Sequence, residues 1–107
     1  MIRSGIDIVY NKRMKTSLNN EIFLNKVFHF SELKNNKKLI GIFALKEALM
    51  KAIGKKIDWK LIEVSFSKGR PKIFLAEDIK MKGIKCIDGS ISHDGDYTIA
   101  LAVIELK

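Results

Sequence analysis

Two carboxylates and two basic groups hold the chemistry this sequence could do: Asp7, Glu47, Lys51 and His93. Asp7 follows Gly5-Ile6 inside a strand pattern, although Asp is a poor strand former. Alone, it reads as an acid on the solvated face of an edge strand. Phe43, Glu47 and Lys51 fall at i, i+4 and i+8, along one helix face. Alone, Glu47 reads as a surface acid with a lysine partner, a pair worth about 0.3–0.5 kcal/mol. Facing each other across a strand–helix cleft, the two acids would supply hard oxygen ligands. One or two carboxylates, completed by phosphate oxygens and waters, is the usual way to hold Mg²⁺. His93 stands at a strand end beside the Asp94-Gly95 turn. It reads either as a ligand group at the sheet rim or as a histidine satisfying a backbone carbonyl. His29, between Phe28 and Phe30, reads as packing or loop.

Other chemistries are excluded by what their motifs require. There is no G-x-S-x-G elbow, P-loop, GxGxxG or HExxH. The one cysteine, Cys86, excludes an internal disulfide and a cysteine-built zinc cage. Its strand-like neighbours Ile84-Lys85 and Ile87 read as surrounding a structural thiol. Lys12, Arg13 and Lys15 form the best basic cluster, followed by Lys34, Lys37 and Lys38. No aromatic-interleaved or zinc-finger pattern accompanies them, so nucleic acid is not an expected partner. No apolar run approaches the roughly 18 residues of a membrane helix, and no long apolar leader opens the chain. These features predict a soluble cytoplasmic protein with no membrane partner.

Positioning such groups takes a strand, a helix and a sheet rim. Ile2 to Val9 reads as a strand with Gly5, Asp7 and Val9 on one face. Residues 12–29 read as one or two short helices. Leu39, Phe43, Met50 and Ile53 recur at helical spacing, Ala44, Ala48 and Ala52 form a small-residue row, and Gly54 is the stop. The main helix is therefore predicted over about 38–53. Trp59 to Ser67 reads as a strand, 68–71 as a turn, and Lys72 to Leu75 as the returning strand. A short helical or irregular stretch is predicted over about 76–83. A final hairpin pairs 84–92 with 96–106. Its last strand is nearly all apolar, which predicts cover on both faces by helix, sheet or another subunit. This order favours an α+β fold, a small antiparallel sheet packed on a long central helix.

With 107 residues the chain is expected to be one domain, 1–107, able to bury a core without staples. Its net charge of +8 favours anionic partners.

Taken in order, the motifs resemble the holo-acyl-carrier-protein synthase family, the small phosphopantetheinyl transferases. The matching stretches are Gly5-Ile6-Asp7-Ile8, Phe23 to Phe28 with Ser31-Glu32-Leu33, and Phe43-Ala44-Leu45-Lys46-Glu47-Ala48 through Lys51-Ala52-Ile53-Gly54. Trp59 with Ile62-Glu63-Val64, Gly69-Arg70-Pro71, and Ser90-Ile91-Ser92-His93-Asp94 follow. The resemblance implies transfer of 4′-phosphopantetheine from coenzyme A to a serine of apo-acyl carrier protein. It implies Mg²⁺, or Mn²⁺, on Asp7 and Glu47. It implies that Lys51 neutralises or protonates the leaving phosphate. Lys46 is expected to touch phosphate, and His93 to sit near the nucleotide end of coenzyme A. Glu47, or a metal-bound water it orients, is the expected acceptor of the serine proton. Lys12, Arg13 and Lys15 are expected to dock the acidic carrier, and the family implies a homotrimer with sites between subunits. The alternative is a non-catalytic basic module of the same fold, binding a polyanion or a carrier protein. Two acids at the site speak against it.

The chain departs from the family in places. The segment between Leu33 and Phe43 is short. Ile42 stands where Arg is frequent, and Lys26 and His29 stand where Arg and Thr are frequent. These differences bear on how coenzyme A phosphates or the carrier are gripped.

Overall fold

The computed structural model describes residues 1–76 and 83–107. Strand β1 (Ile2–Tyr10) leads into helices α1 (Asn11–Ser17), α2 (Glu21–Val27) and α3 (Phe30–Leu33). Helix α4 (Leu39–Ile53) follows a one-turn 3-10 helix at Asn36–Lys38. Strands β2 (Ile62–Ser67), β3 (Arg70–Leu75), β4 (Ile84–Asp94) and β5 (Tyr97–Leu106) complete the described chain. The stretch predicted over about 76–83 lies almost wholly outside the described residues.

The α+β expectation holds, with one change. The strands form not one sheet but two: a three-stranded sheet, β1-β5-β4, and a separate β2-β3 hairpin. All pairings are antiparallel. The predicted strand from Trp59 begins only at Ile62. Asp58 accepts from Lys60 N–H at 3.0 Å and turns Trp59–Leu61 into a single 3-10 turn. The β2-β3 turn is tighter than predicted. Lys68 and Gly69, with φ of 52° and 79°, close it as a two-residue loop.

Alternation along β1 and β5 explains how the sheet meets α4. Gly5 and Val9 of β1 and Thr98, Ala100, Ala102 and Ile104 of β5 are buried. Against them lie Ala44, Leu45, Ala48, Leu49 and Ala52 of α4. Small residues on both sides let the strands approach closely. At Gly5 the approach is so tight that a Cβ would lie 2.0 Å from the Ala48 carbonyl oxygen. Gly54, at φ 92°, ends α4 in the left-handed region and donates to the Met50 carbonyl at 2.9 Å.

The expected cover of β5 by helix, sheet or another subunit is met on one face only among the described residues. Tyr97, Ile99 and Leu101 are exposed, and on β1 Ile6 and Ile8 are 60% and 61% exposed. Cys86 departs from expectation. It is an exposed thiol on β4, 3.4 Å from Glu105 Oε1. That hydrogen bond to a carboxylate holds its pKa above the usual thiol value, which suppresses the nucleophilic thiolate.

Candidate active site

β1 and α4 together bring the two sequence-predicted acids to one place. Asp7 is on the inner face of β1, two residues beyond Gly5, so the Gly5–Ala48 contact sets its height over the helix. Glu47 is half-buried on α4, beside Ala48. Both carboxylates line one cavity of about 320 Å³, together with Tyr10, Arg13, Met14 and Phe43. Phe43 is held by an aromatic stack: its ring lies 5.1 Å from Trp59, nearly parallel, and 5.9 Å from Phe23. The wall beside Glu47 is therefore fixed by core packing.

Lys51 stands one helical turn beyond Glu47. Its Nζ donates to the Ile6 carbonyl at 2.9 Å and to Asp7 Oδ1 at 3.3 Å. The lysine side chain is about half exposed, so this pair is weak, within about 1 kcal/mol. A weak pair leaves both partners available to another ligand. Lys51 and Glu47 also line a second cavity of about 360 Å³, with Met50, Gly54, Lys55 and Lys56.

A third cavity, of about 480 Å³, opens near the N-terminal end of α4. Its walls include Lys37, Lys38, Gly41, Phe66, Arg70 and His93. The His93 ring is oriented by its neighbours. Thr98 Oγ1 donates to Asn11 Oδ1 at 2.8 Å, which leaves the hydroxyl oxygen to accept from His93 Nδ1 at 2.9 Å. Nδ1 is then the nitrogen that donates to Thr98. Lys38 Nζ lies 4.0 Å from the Phe66 ring centroid, a cation–π contact across the cavity wall. A cavity with a cationic wall, an aromatic face and a glycine-lined floor suits a phosphorylated nucleotide.

Most of the predicted residues therefore face these cavities, but Lys46 does not. Lys46 was expected to touch phosphate. It is fully buried, and its Nζ donates to Glu32 Oε1 and the Val27 carbonyl, each at 2.8 Å, and to the Trp59 carbonyl at 3.4 Å. Burial lowers its pKa, against the raising effect of Glu32. With its ammonium spent on core acceptors, it has no reach to a ligand. Arg13 faces the Asp7–Glu47 cavity, while Lys12 and Lys15 are exposed on α1 outside it. Ile42 is 1% exposed and packs in the core. Lys37, Lys38, Phe66 and Arg70 were not picked out as site residues by the sequence. Their signals were present as the second basic cluster and the Gly69-Arg70-Pro71 turn.

Comparison with known proteins decides the family. Residues 3–102 match the 4′-phosphopantetheinyl transferase superfamily. The chain belongs to that superfamily. It is 32% identical to the holo-[acyl-carrier-protein] synthase of Finegoldia magna, over 99% of this chain and 97% of that one. It is 40% identical to the synthase of the same name from Campylobacter fetus, over 94% and 97%. Among solved structures, the Helicobacter pylori holo-[acyl-carrier-protein] synthase in complex with coenzyme A superposes with a TM-score of 0.87 at 34% identity. It covers 98% of this chain and 100% of that one. The Neisseria meningitidis enzyme gives 0.85 at 27% identity, over 98% and 99%. Similarity over almost the whole of each chain places the transferase fold on every described element above.

The family's divalent metal fits the acids on one criterion. Asp7 and Glu47 share a cavity wall, and among the described residues no group of three or more His, Cys, Asp or Glu forms a fuller cage. Two carboxylates with open space beside them suit a hard cation that keeps waters and takes phosphate oxygens.

Proposed function

We propose that this transferase is a holo-acyl-carrier-protein synthase. It moves 4′-phosphopantetheine from coenzyme A to a serine hydroxyl of apo-acyl carrier protein and releases adenosine 3′,5′-bisphosphate. One observation supports this above all: a strand acid and a helix acid, Asp7 and Glu47, wall one cavity beside the ammonium of Lys51.

The reaction breaks the bridging P–O bond of the coenzyme A diphosphate and forms a bond from the serine oxygen to the phosphorus of the pantetheine phosphate. Asp7 and Glu47 would hold Mg²⁺ or Mn²⁺, which when bound offsets phosphate charge and polarises the attacked phosphorus. Lys51 neutralises the charge that develops on the departing phosphate. Glu47 accepts the serine proton. The cavity of Lys37, Lys38, Arg70 and His93 takes the nucleotide end of coenzyme A. The nucleophile comes from the partner, so the chain needs none of its own. The test is release of adenosine 3′,5′-bisphosphate from coenzyme A, followed by chromatography. Release is expected only with apo-carrier and a divalent cation both present. No release under any divalent metal would remove the enzyme reading in favour of a binding module.

Arg13, with Lys12 and Lys15, forms the docking face for the acidic carrier. Arg13→Glu is expected to raise KM for the carrier about tenfold and leave KM for coenzyme A within about twofold. The carrier KM of the parent is expected to rise with added salt. Equal effects on both substrates would move the docking face elsewhere.

The exposed apolar face of β1 and β5 is the surface for self-association. Ile6, Ile8, Ile99 and Leu101 pair across the two strands and are exposed together, an apolar cluster of the kind that marks an interaction surface. The assembly is a homotrimer with sites at its subunit interfaces, in a cytoplasmic setting. Sedimentation is expected to give three times the chain mass, and Leu101→Glu is expected to yield monomer with reduced turnover. A parent that sediments as a monomer at micromolar concentration would contradict this assignment.

A further inference from the structure

Lys46 and Glu32 meet where several segments of the chain converge. Lys46 Nζ reaches the end of α2 through Val27, α3 through Glu32, and the 3-10 turn through Trp59. Glu32 Oε1 also accepts from His29 N–H at 2.8 Å, and Oε2 from Val64 N–H on β2 at 2.7 Å. The two side chains are shut off from solvent. Every ammonium proton and both carboxylate oxygens are engaged inside the protein.

Stability alone is a poor reason for such a pair, because apolar residues of similar volume often replace buried ion pairs without loss. Its placement offers a better one. The 480 Å³ cavity has one wall on the Asn36–Lys38 turn, two residues after α3, and another on the β2-β3 hairpin. Among the described residues the hairpin has no ladder to the three-stranded sheet. α3 is one turn of four residues, too short to hold itself in place. Glu32 fastens both: it belongs to α3, and it satisfies the Val64 amide on the open edge of β2. Lys46 then anchors Glu32 to α4, one residue before Glu47.

We propose that the Lys46–Glu32 pair is a positioning device that fixes the Lys37–Lys38 turn and the Phe66–Arg70 hairpin against α4. It thereby sets the grip on the nucleotide end of coenzyme A without touching it. This rests on the functional reading above, which assigns that cavity to the nucleotide. The seat of Asp7 over α4 does not depend on the pair, because Gly5 packs directly on Ala48 and Ala52. Loss of the pair should therefore weaken nucleotide binding selectively.

The test compares Lys46→Met, the double variant Glu32→Leu/Lys46→Met, and Glu32→Gln with the parent. Thermal midpoints are measured by circular dichroism, and the Kd for adenosine 3′,5′-bisphosphate by calorimetry. Lys46→Met is expected to melt far below the parent, with a charge left unpaired in the core. The double variant is expected to recover to within about 5 °C of the parent. Its Kd is nonetheless expected to be at least about tenfold weaker, since small displacements of binding groups are costly. KM for coenzyme A should rise in parallel while KM for the carrier stays within about twofold. A double variant with both the midpoint and the Kd of the parent overturns the positioning role. If that variant does not fold, Glu32→Gln decides: a Kd weakened at least about threefold supports the role, and an unchanged Kd overturns it. A parent that binds no nucleotide overturns the functional reading itself, a result distinct from either of these.

Discussion

Glu47→Gln is expected to cut transfer severely and leave the fold in place. The substitution keeps the size of the side chain and removes only the charge and one acceptor oxygen. Glu47 is half-buried at the cavity and makes no ion pair among the described residues, so little described structure depends on its ionisation. The expected loss in kcat/KM is at least about 100-fold, since even partners outside the ligand sphere of a metal cost 10–100-fold. The thermal midpoint is expected to stay within about 3 °C of the parent, as for a surface change of under about 0.5 kcal/mol. The adjacent residue should behave in the opposite way. Lys46→Met removes a fully buried partner of Glu32 and is expected to cost about 3–5 kcal/mol of stability. Neighbours in sequence, one faces chemistry and the other the core. Near-parental turnover in Glu47→Gln would take Glu47 out of the site.

Gly5→Ala is expected to be the most damaging single-methyl change in the molecule. The added Cβ would lie 2.0 Å from the Ala48 carbonyl oxygen, 2.7 Å from Ala52 N and 2.9 Å from Lys51 Cβ. Two of these are backbone atoms of α4, which cannot rotate away. Overpacking of a core ordinarily costs about 1–3 kcal/mol where side chains can adjust. Here the strand must separate from the helix, so the cost is expected to exceed about 3 kcal/mol. That is a large share of the roughly 5–15 kcal/mol that holds a domain together. A drop in midpoint of more than about 10 °C follows. The same separation lifts Asp7 away from Glu47, so activity should fall even below the melting range. A midpoint equal to that of the parent would show that β1 does not pack on α4 as described.

These two variants also mark what could be read from the sequence. Gly5, Asp7 and Val9 alternate, and Ala44, Ala48 and Ala52 form a row. Both patterns are local, so the strand, the helix and their acids were legible. Lys46 was not. It differs from Lys51 only in which acceptors surround it, and Glu32, Val27 and Trp59 lie far from it along the chain. The apolar run of β5 told that both faces avoid water. It could not tell that one face would meet no cover among the described residues. Likewise, turn residues announced the β2-β3 hairpin, but whether it joins the main sheet depends on packing that no short pattern records. Asp58 shortened β2 through a side-chain cap, a choice between strand and turn made by one hydrogen bond. The cavity of Lys37, Lys38, Arg70 and His93 was hardest to see because its walls come from three separate stretches of the chain.

The central claim is that Asp7, Glu47 and Lys51 serve the transfer of phosphopantetheine to a carrier serine. Its most direct measurement is the intact mass of apo-acyl carrier protein after incubation with this protein, coenzyme A and Mg²⁺. The account predicts a gain of one phosphopantetheine group, absent when the carrier serine is replaced by alanine and absent with Glu47→Gln. A carrier mass that stays unchanged with the parent protein, whichever divalent metal is supplied, would contradict it.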